Sequence, residues 1–348
     1  MIMSYLLDKR IKKEYTNLRI SCILTLRRIY MKEFFKKFMA SFAALALVAG
    51  LSACSGGRDN ENSGLKVLCT VFPVYDWARE ISGDKADVSL LVSGGTDMHS
   101  YQPSAEDMIE IAGCDILIYV GGVSDGWIDE AVKQQENKER TVINLLEVLG
   151  DKAVSEELSD GMQAEEHAHE DGGEEYDEHV WLSLKNAELF VRAISEALSE
   201  KNPDQADYFS GRAEAYIGEL NELDEEYSET AESAEKKTLV FADRFPFRYL
   251  TEDYGLSYYA AFPGCSAETD ASFETIAFLS GKIDELGIKY VLTTESPVPG
   301  IAETVAENTK EKNQQILALD SMQSVIDGSA DYLEIMRNNL ETLKKAIS

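Results

Sequence analysis

Short apolar segments rich in β-branched and aromatic residues alternate with segments of helical periodicity along most of the chain. Alternation of this kind is typical of parallel sheets that are covered by helices. Eight segments are predicted as strands, in two groups of four: 66–72, 87–92, 116–120 and 141–146, then 238–241, 257–262, 290–294 and 315–319. We therefore predict an α/β fold.

A long segment with helical spacing separates the two groups of strands. Asn202 is a candidate helix cap and Pro203 lies in the first turn, which is a common start for a helix. From 203 to 235 such a helix would extend about 50 Å, enough to cross a whole lobe. We predict two lobes, each a mostly parallel four-stranded sheet flanked by helices, joined by one long rigid helix.

The N-terminal region predicts export. After Met31, lysines precede an apolar run over 38–51 and then Leu51-Ser52-Ala53-Cys54, which is the pattern of a lipoprotein signal peptide. Cys54 would then be the lipidated first residue of a protein anchored to the outer face of the cell membrane. A plain membrane anchor is the alternative, although the run is short for a membrane span.

These patterns give a set of expected boundaries. We expect an upstream extension from a misassigned start at 1–30, a signal peptide at 31–53 and a flexible tether at 54–64. The N-terminal lobe then covers 65–202, with an acidic loop at 163–178. The connecting helix covers 203–236 and the C-terminal lobe 237–348.

Charge and cysteine content exclude some classes of function. The formal net charge is −30, so nucleic acid is not an expected partner. Without Cys54 and the cysteine of the extension, the remaining three are Cys69, Cys114 and Cys265, an odd number with no CxxC spacing, and a disulfide framework is not expected. Cys69 and Cys114 lie in apolar runs, whereas Cys265 lies in a turn where a thiol can be exposed.

Histidines and carboxylates occupy positions where an α/β protein binds ligands. All four histidines fall between His99 and His179. Ligands bind outside the carboxyl ends of parallel strands, and His99, Asp243, Glu295 and Asp320 follow or end predicted strands. Zinc accepts both imidazole and carboxylate ligands. The pattern therefore predicts a metal site between the lobes.

Several motifs together resemble the solute-binding lipoproteins of zinc and manganese ABC transporters, in particular the zinc branch. The resemblance covers nearly all of residues 65–348. It rests on Phe72-Pro73-Val74-Tyr75, on the segments 97–104 (DMHSYQPS) and 177–183 (DEHVWLS), on Tyr254-Gly255-Leu256, and on the acidic loop between His167 and Glu178.

The resemblance implies a ligand set. His99 and His179 match two ligand positions of the family, and Asp320 matches an acidic fourth ligand. The position of the third ligand is occupied by Arg244, a cation that cannot coordinate a metal. We favour Asp243 as the substitute. A loop histidine, water, or Cys265 or Glu268 in the neighbouring turn are the alternatives.

The function implied by the resemblance is zinc import. The protein would capture Zn²⁺ between its lobes as a transported ligand and deliver it to an ABC permease driven by a separate ATPase. His167 and His169, in the loop crowded with carboxylates, would capture zinc weakly and pass it inward. We expect a monomer and no enzyme activity. Manganese is possible as the ligand, because carboxylates in the site weaken the preference for zinc.

Two other classes of function compete with this interpretation. Gly122-Val123-Ser124-Asp125-Gly126 matches the nucleophile elbow of serine hydrolases and follows an apolar strand. However, the usual order requires a histidine after the acid, and His179 is the last histidine in the chain. The other class is a surface adhesin, which an exported acidic lipoprotein can also be.

Overall fold

The computed structural model describes residues 64–93, 95–96, 98–134, 137, 139–163, 176–266, 270–298, 300–324 and 329–348. The predicted leader and all of the tether except Gly64 lie outside the described residues, and so does Cys54. The same holds for most of the acidic loop, with His167 and His169, and for Glu268.

The first lobe is built on a parallel four-stranded sheet. Its strands are β1 (Leu65–Cys69), β2 (Ala86–Leu90), β3 (Ile116–Tyr119) and β4 (Thr141–Asn144), in the order β2-β1-β3-β4. β1 is predicted too long from its apolar residues. It ends at Cys69, because the apolar run continues into a helix that begins at Phe72 with proline in its first turn.

The second lobe repeats this arrangement. Its strands are β5 (Thr238–Phe245), β6 (Ser257–Pro263), β7 (Tyr290–Thr293) and β8 (Gln315–Ala318), in the order β6-β5-β7-β8, all parallel. In both sheets the strand order reverses next to the first strand. Such a switch point leaves a crevice at the carboxyl ends of the strands, where ligands bind.

Helices cover both faces of each sheet. The helices of the first lobe are α1 (Phe72–Ser82), α2 (Ala105–Gly113), α3 (Gly126–Gln134), α4 (Leu145–Leu149) and α5 (Leu184–Lys201). The long helix α6 (Ala206–Glu232) follows. The helices of the second lobe are α7 (Arg248–Asp253), α8 (Phe273–Leu286), α9 (Ile301–Glu307) and α10 (Tyr332–Ala346).

The long helix is confirmed, but its start differs from the prediction. Asn202 ends α5, where its backbone N–H donates to the Leu198 carbonyl, and its side chain makes no capping hydrogen bond. A short 3₁₀ turn, Pro203–Gln205, then leads into α6. Proline fixes its own backbone angle and lacks an N–H, so it fits this tight turn as well as it fits a first helical turn.

The main hydrophobic core lies between the sheets and includes side chains from both lobes. Trp77 stacks on Phe190 from α5 and meets the edge of Tyr332 from α10. Tyr227 of α6 is fully buried and donates its hydroxyl to the Met336 carbonyl. Two smaller clusters fill the space under the outer helices. The two lobes therefore share one hydrophobic core.

Within the described residues, every helix is too short or too polar to span a membrane.

Candidate metal site

His99 follows the first sheet on a short 3₁₀ turn. The turn is Met98–Ser100, and the buried Met98 side chain anchors it to the core. The His99 side chain is 11% exposed, so one edge of the ring faces the crevice. The structure thus places His99 beyond the carboxyl end of β2, where the sequence predicts it.

His179 is fully buried directly before a second 3₁₀ turn, Val180–Leu182. Trp181 in this turn donates its indole N–H to the Ser321 carbonyl at 2.8 Å. Its own carbonyl accepts the Tyr332 hydroxyl at 2.7 Å. Because Ser321 and Tyr332 belong to the second lobe, these bonds hold His179 at the junction of the lobes.

The two imidazoles meet, although they are eighty positions apart in sequence. The Nε2 atoms of His99 and His179 are 3.2 Å apart, and the ring planes are inclined by 59°. A tetrahedral zinc ion with Zn–N bonds of about 2.0–2.1 Å holds two nitrogens about 3.3 Å apart. The separation of the rings therefore fits a shared zinc ion.

A thiol completes the cluster. Among the described residues, His99, His179 and Cys265 form the group of histidine, cysteine and acidic side chains whose ligand atoms all lie within 4.8 Å of one another. The turn that carries Cys265 follows β6, and Gly264 lies against the His179 ring. A Cβ at Gly264 would be 2.7 Å from Cε1 of that ring, so glycine is needed for this close approach.

Gln323 occupies the space between the imidazoles. Its Nε2 lies 2.9 Å from Nε2 of His99 and 2.6 Å from Nε2 of His179. Its Oε1 lies 3.0 Å from the Ser321 hydroxyl oxygen. The two ring nitrogens and the carboxamide thus converge on one point. That arrangement is the one a metal ion requires.

The opposite edge of each ring has a hydrogen-bond partner. His179 Nδ1 lies 2.9 Å from Asp177 Oδ1, and His99 Nδ1 lies 2.6 Å from Ser124 Oγ. Burial lowers the pKa of His179, but the charge and hydrogen bond of Asp177 outweigh it, so the pKa is raised overall. Partners of this kind place the proton on Nδ1 and leave Nε2 for a metal.

Asp243 lies elsewhere. It is fully buried, and its Oδ2 accepts both the backbone N–H and the hydroxyl of Thr294, at 2.9 and 2.8 Å. Its Oδ1 accepts the Val298 N–H at 3.4 Å. Asp243 therefore fastens the end of β5 to the loop after β7, and the structure does not bring it into the cluster with His99 and His179.

Asp320 is also outside the cluster formed by the described residues. Its Oδ1 accepts the Met322 N–H at 2.8 Å, and Met322 has a positive φ of 60°. Its backbone pairs with the Asn339 side chain in both directions. Asp320 thus shapes the turn that carries Gln323. Glu295 supports the same turn by accepting the Ser321 N–H and hydroxyl.

Arg244 lies in β5 opposite Phe262, next to a break in the strand register. The sequence predicts that it cannot coordinate a metal, and Cys265 is the ligand-type side chain that the described structure brings to the imidazoles. Cys69 and Cys114 are buried, as predicted, whereas Cys265, which is expected in an exposed turn, is half-buried.

Three residues of the site have contacts that the sequence does not reveal. Gln323 follows Asp320 by three positions, but an amide is a weak indicator of a metal site. Ser124 attracts attention only as a nucleophile, whereas it contacts His99. Glu178 belongs to the segment 177–183, in which the sequence suggests no role for it. In the structure it is buried beside His99. Only the fold shows these contacts.

Comparison with known proteins decides the family. Residues 67–346 match the family model ZnuA, described as the zinc-uptake complex component A, periplasmic. The chain belongs to the ZnuA family. It is 31% identical over 287 residues to the zinc-binding protein AdcA of Streptococcus pyogenes, covering 80% of this chain and 55% of AdcA. It thus spans about half the length of that relative.

Other relatives and solved structures match over nearly their whole length. The high-affinity zinc uptake system protein ZnuA of Bacillus subtilis is 28% identical over 326 residues, with 90% of this chain and 98% of that protein covered. The Zn(II)-bound ZnuA-like domain of Streptococcus pneumoniae AdcA has a TM-score of 0.65 at 28% identity, covering 82% and 99%. The lipoprotein YcdH of B. subtilis gives 0.66 at 27%, covering 81% and 99%.

These matches confirm the resemblance and the fold class predicted from the sequence. The solved structures match this chain over both lobes. The description of this family is that of the periplasmic component A of a zinc-uptake complex.

Proposed function

We propose that this chain is the solute-binding component of a zinc ABC importer and that it holds Zn²⁺ with His99, His179 and Cys265. The observation that carries the proposal is the 3.2 Å separation of the two Nε2 atoms, with a thiol in the same cluster. Two neutral imidazoles and one thiolate are ligands that zinc prefers.

The thiolate takes the place of the third ligand that Arg244 removes. Arginine stays protonated and offers no lone pair, whereas a cysteine bound to zinc loses its proton and adds a negative charge. This ligand set replaces the one expected from the sequence, since Asp243 and Asp320 make other contacts.

Gln323 supplies the fourth position. With its carboxamide turned over, Oε1 faces the ion and Nε2 donates to the hydroxyl oxygen of Ser321, whose own proton is donated to Glu295. A carboxamide fits its pocket in either orientation when the neighbours are hydroxyls. A site closed by four protein groups suits capture without catalysis, because no position is left for a reactive water.

The ligands favour zinc over manganese. Manganese prefers carboxylate, carbonyl and water oxygens, while imidazole and thiolate suit zinc. The proposed site has two nitrogens, one sulfur and one amide oxygen. Manganese import by this site is therefore the weaker alternative.

The cellular arrangement follows from the sequence and the family. Cys54 carries the lipid that anchors the chain to the outer face of the cell membrane. The acidic loop with His167 and His169 raises the local concentration of zinc near the site. A monomer then presents the zinc-loaded form to the permease, and a separate ATPase drives transport.

A serine hydrolase is the less favoured alternative. Ser124 Oγ lies 2.6 Å from His99 Nδ1, which resembles a nucleophile and its base. A hydrolase also needs backbone N–H groups free to stabilise an oxyanion. Here Ser124 N–H donates to Glu178 Oε1 at 2.9 Å, and Val123 N–H also stabilises this carboxylate. Glu178 therefore already occupies the N–H groups that an oxyanion would need.

Metal analysis and chelator competition test the binding proposal. The purified protein should bind one Zn²⁺, and His99→Ala, His179→Ala and Cys265→Ser should each weaken binding by at least tenfold. Cobalt substitution should give a thiolate-to-cobalt charge-transfer band that Cys265→Ser removes. Cys114→Ala, at a buried thiol outside the cluster, is the matched control and should keep the band.

Zinc uptake in cells separates import from adhesion. A deletion strain should lose growth in zinc-depleted medium, and the native chain should restore it while His179→Ala does not. If the His179→Ala variant restores growth fully, the import proposal is wrong. If adhesion, but not growth, depends on the chain, the adhesin alternative is correct.

A further inference from the structure

Glu178 is a buried carboxylate that the proposed ligand set does not use. The residue is 2% exposed. Its Oε1 accepts the Ser124 N–H at 2.9 Å. Its Oε2 is buried without a hydrogen-bond partner in the described part of the chain and lies 3.7 Å from Nδ1 of His99. Burying a carboxylate costs free energy, so the position of Glu178 beside a proposed metal ligand needs a physical explanation.

Ser124 connects this carboxylate to the ring of His99. Its hydroxyl oxygen lies 2.6 Å from His99 Nδ1. Burial raises the pKa of Glu178, and hydrogen bonds from the hydroxyl and N–H of Ser124 oppose this effect. The hydroxyl therefore lies between the ring and the carboxylate.

The direction of the hydrogen bonds follows from the carboxylate side of the ring. Ser124 donates its hydroxyl proton to Glu178, so its oxygen accepts from His99. In a neutral imidazole the proton is then on Nδ1, which donates to Ser124 Oγ, and Nε2 carries the lone pair. A hydroxyl that accepts this bond can still donate its own proton to Glu178. The order is His99 to Ser124 to Glu178.

The backbone around Glu178 provides the space for this arrangement. Gly122 has a φ of +87°, and a Cβ there would be 2.4 Å from Oε1 of Glu178. Glycine is thus required both for the backbone conformation and for the carboxylate to approach. The segment that carries Ser124 is shaped around Glu178.

The ring of His179 is also supported by a carboxylate, but without a hydroxyl in between. Asp177 Oδ1 accepts directly from Nδ1 of His179 at 2.9 Å and also from its backbone N–H at 2.8 Å. Each of the two imidazoles therefore has a carboxylate behind it, one in direct contact and one through a hydroxyl. Carboxylates that accept from a histidine orient the ring and increase its basicity toward a metal.

We propose that Ser124 and Glu178 are positioning residues that hold His99 as the Nδ1–H tautomer with Nε2 directed at the metal. This inference rests on the proposed function for its consequence, which is tighter zinc binding. Its structural part concerns the metal-free protein and can be tested without zinc.

Nuclear magnetic resonance of the imidazole nitrogens in the metal-free protein is the direct test. The native chain should show His99 with its proton on Nδ1. Ser124→Ala should give a mixture of tautomers at His99 while His179 stays unchanged, and Ser124→Thr should restore the native pattern. Ser280→Ala, which removes another largely buried serine hydroxyl in the second lobe, should leave both rings unchanged.

Zinc affinity by chelator competition gives the second readout. Ser124→Ala and Glu178→Gln should each weaken binding by about 10–100-fold, the usual effect of removing the support of a ligating histidine. Unchanged tautomers and affinity within twofold of native in both variants would overturn the inference, as would equal behaviour of Ser124→Ala and Ser124→Thr. A native chain that binds no zinc defeats the proposed function instead, and the tautomer result still decides the positioning of His99.

Discussion

Replacing Gln323 by glutamate changes one charge at the centre of the proposed site. In the native chain the carboxamide nitrogen donates to Nε2 of His99 at 2.9 Å and of His179 at 2.6 Å. A carboxylate of the same length cannot donate, so three acceptors would face one another without a metal. We expect Gln323→Glu to destabilise the metal-free site and to strengthen the zinc-bound one.

The magnitude follows from charge and burial. Two unit charges about 4 Å apart attract by roughly 4 kcal/mol at an effective dielectric constant of about 20. Gln323 is only 6% exposed, so loss of hydration offsets much of this gain. We expect a net gain of about 1.5–3 kcal/mol, which corresponds to roughly ten- to hundredfold tighter zinc binding.

Chelator competition at neutral pH measures this change. Gln315→Glu is the matched control, because it adds the same charge at an exposed position of β8 and should leave the affinity within about twofold. If folded Gln323→Glu binds zinc no more tightly than the native chain, Gln323 does not face the metal and our assignment of the fourth position is wrong.

Three further predictions concern protons, space and stability. Zinc affinity should fall as the pH drops through the pKa of His179, since only the neutral ring binds zinc. Asp177 raises this pKa above the usual value of about 6.5. Titration calorimetry at several pH values measures the affinity, and an affinity that does not change with pH would contradict the prediction. Gly264→Ala should displace the His179 ring and weaken zinc binding by roughly tenfold or more. An unaltered affinity would contradict this, because it would mean that the backbone of the turn moves and the ring does not. Asp243→Ala should lower the free energy of unfolding, measured in urea titrations, by about 2 kcal/mol, because Thr294 loses its buried acceptor. The zinc affinity of this variant should stay near native. A large loss of affinity would show that Asp243 is a ligand after all.

The fold could be predicted because its signal is local. Each strand of both sheets is a short apolar run, and α6 keeps its apolar residues on one face, so periodicity reveals them. The errors occur where two interpretations share the same residues. The apolar run after β1 continues into α1, and Pro203 suits both a 3₁₀ turn and a helical first turn.

The site could be predicted only in part. The sequence places His99 and His179 near strand ends or in a family motif, and the structure brings their rings together. The sequence could not show which of the side chains that follow the other strands point into the crevice. Asp243 turns toward Thr294 and Asp320 toward its own turn, because a buried carboxylate accepts the nearest N–H groups.

Cys265 and Gln323 do reach the imidazoles, but the sequence could not single them out. Cys265 is one of several alternatives in the sequence, and it reaches the imidazoles because Gly264 allows the turn to contact His179. Gln323 reaches them because Asp320 shapes the turn before it. Both depend on contacts across the lobes that periodicity does not encode.

X-ray absorption at the zinc edge tests the central claim most directly, because it reports the atoms bound to the metal in the loaded protein. We predict one sulfur at about 2.3 Å and nitrogen or oxygen neighbours at about 2.0–2.1 Å, two of them with the outer scattering of imidazole. A spectrum of the native chain with only nitrogen and oxygen neighbours would contradict the account, since Cys265 would then not bind the ion.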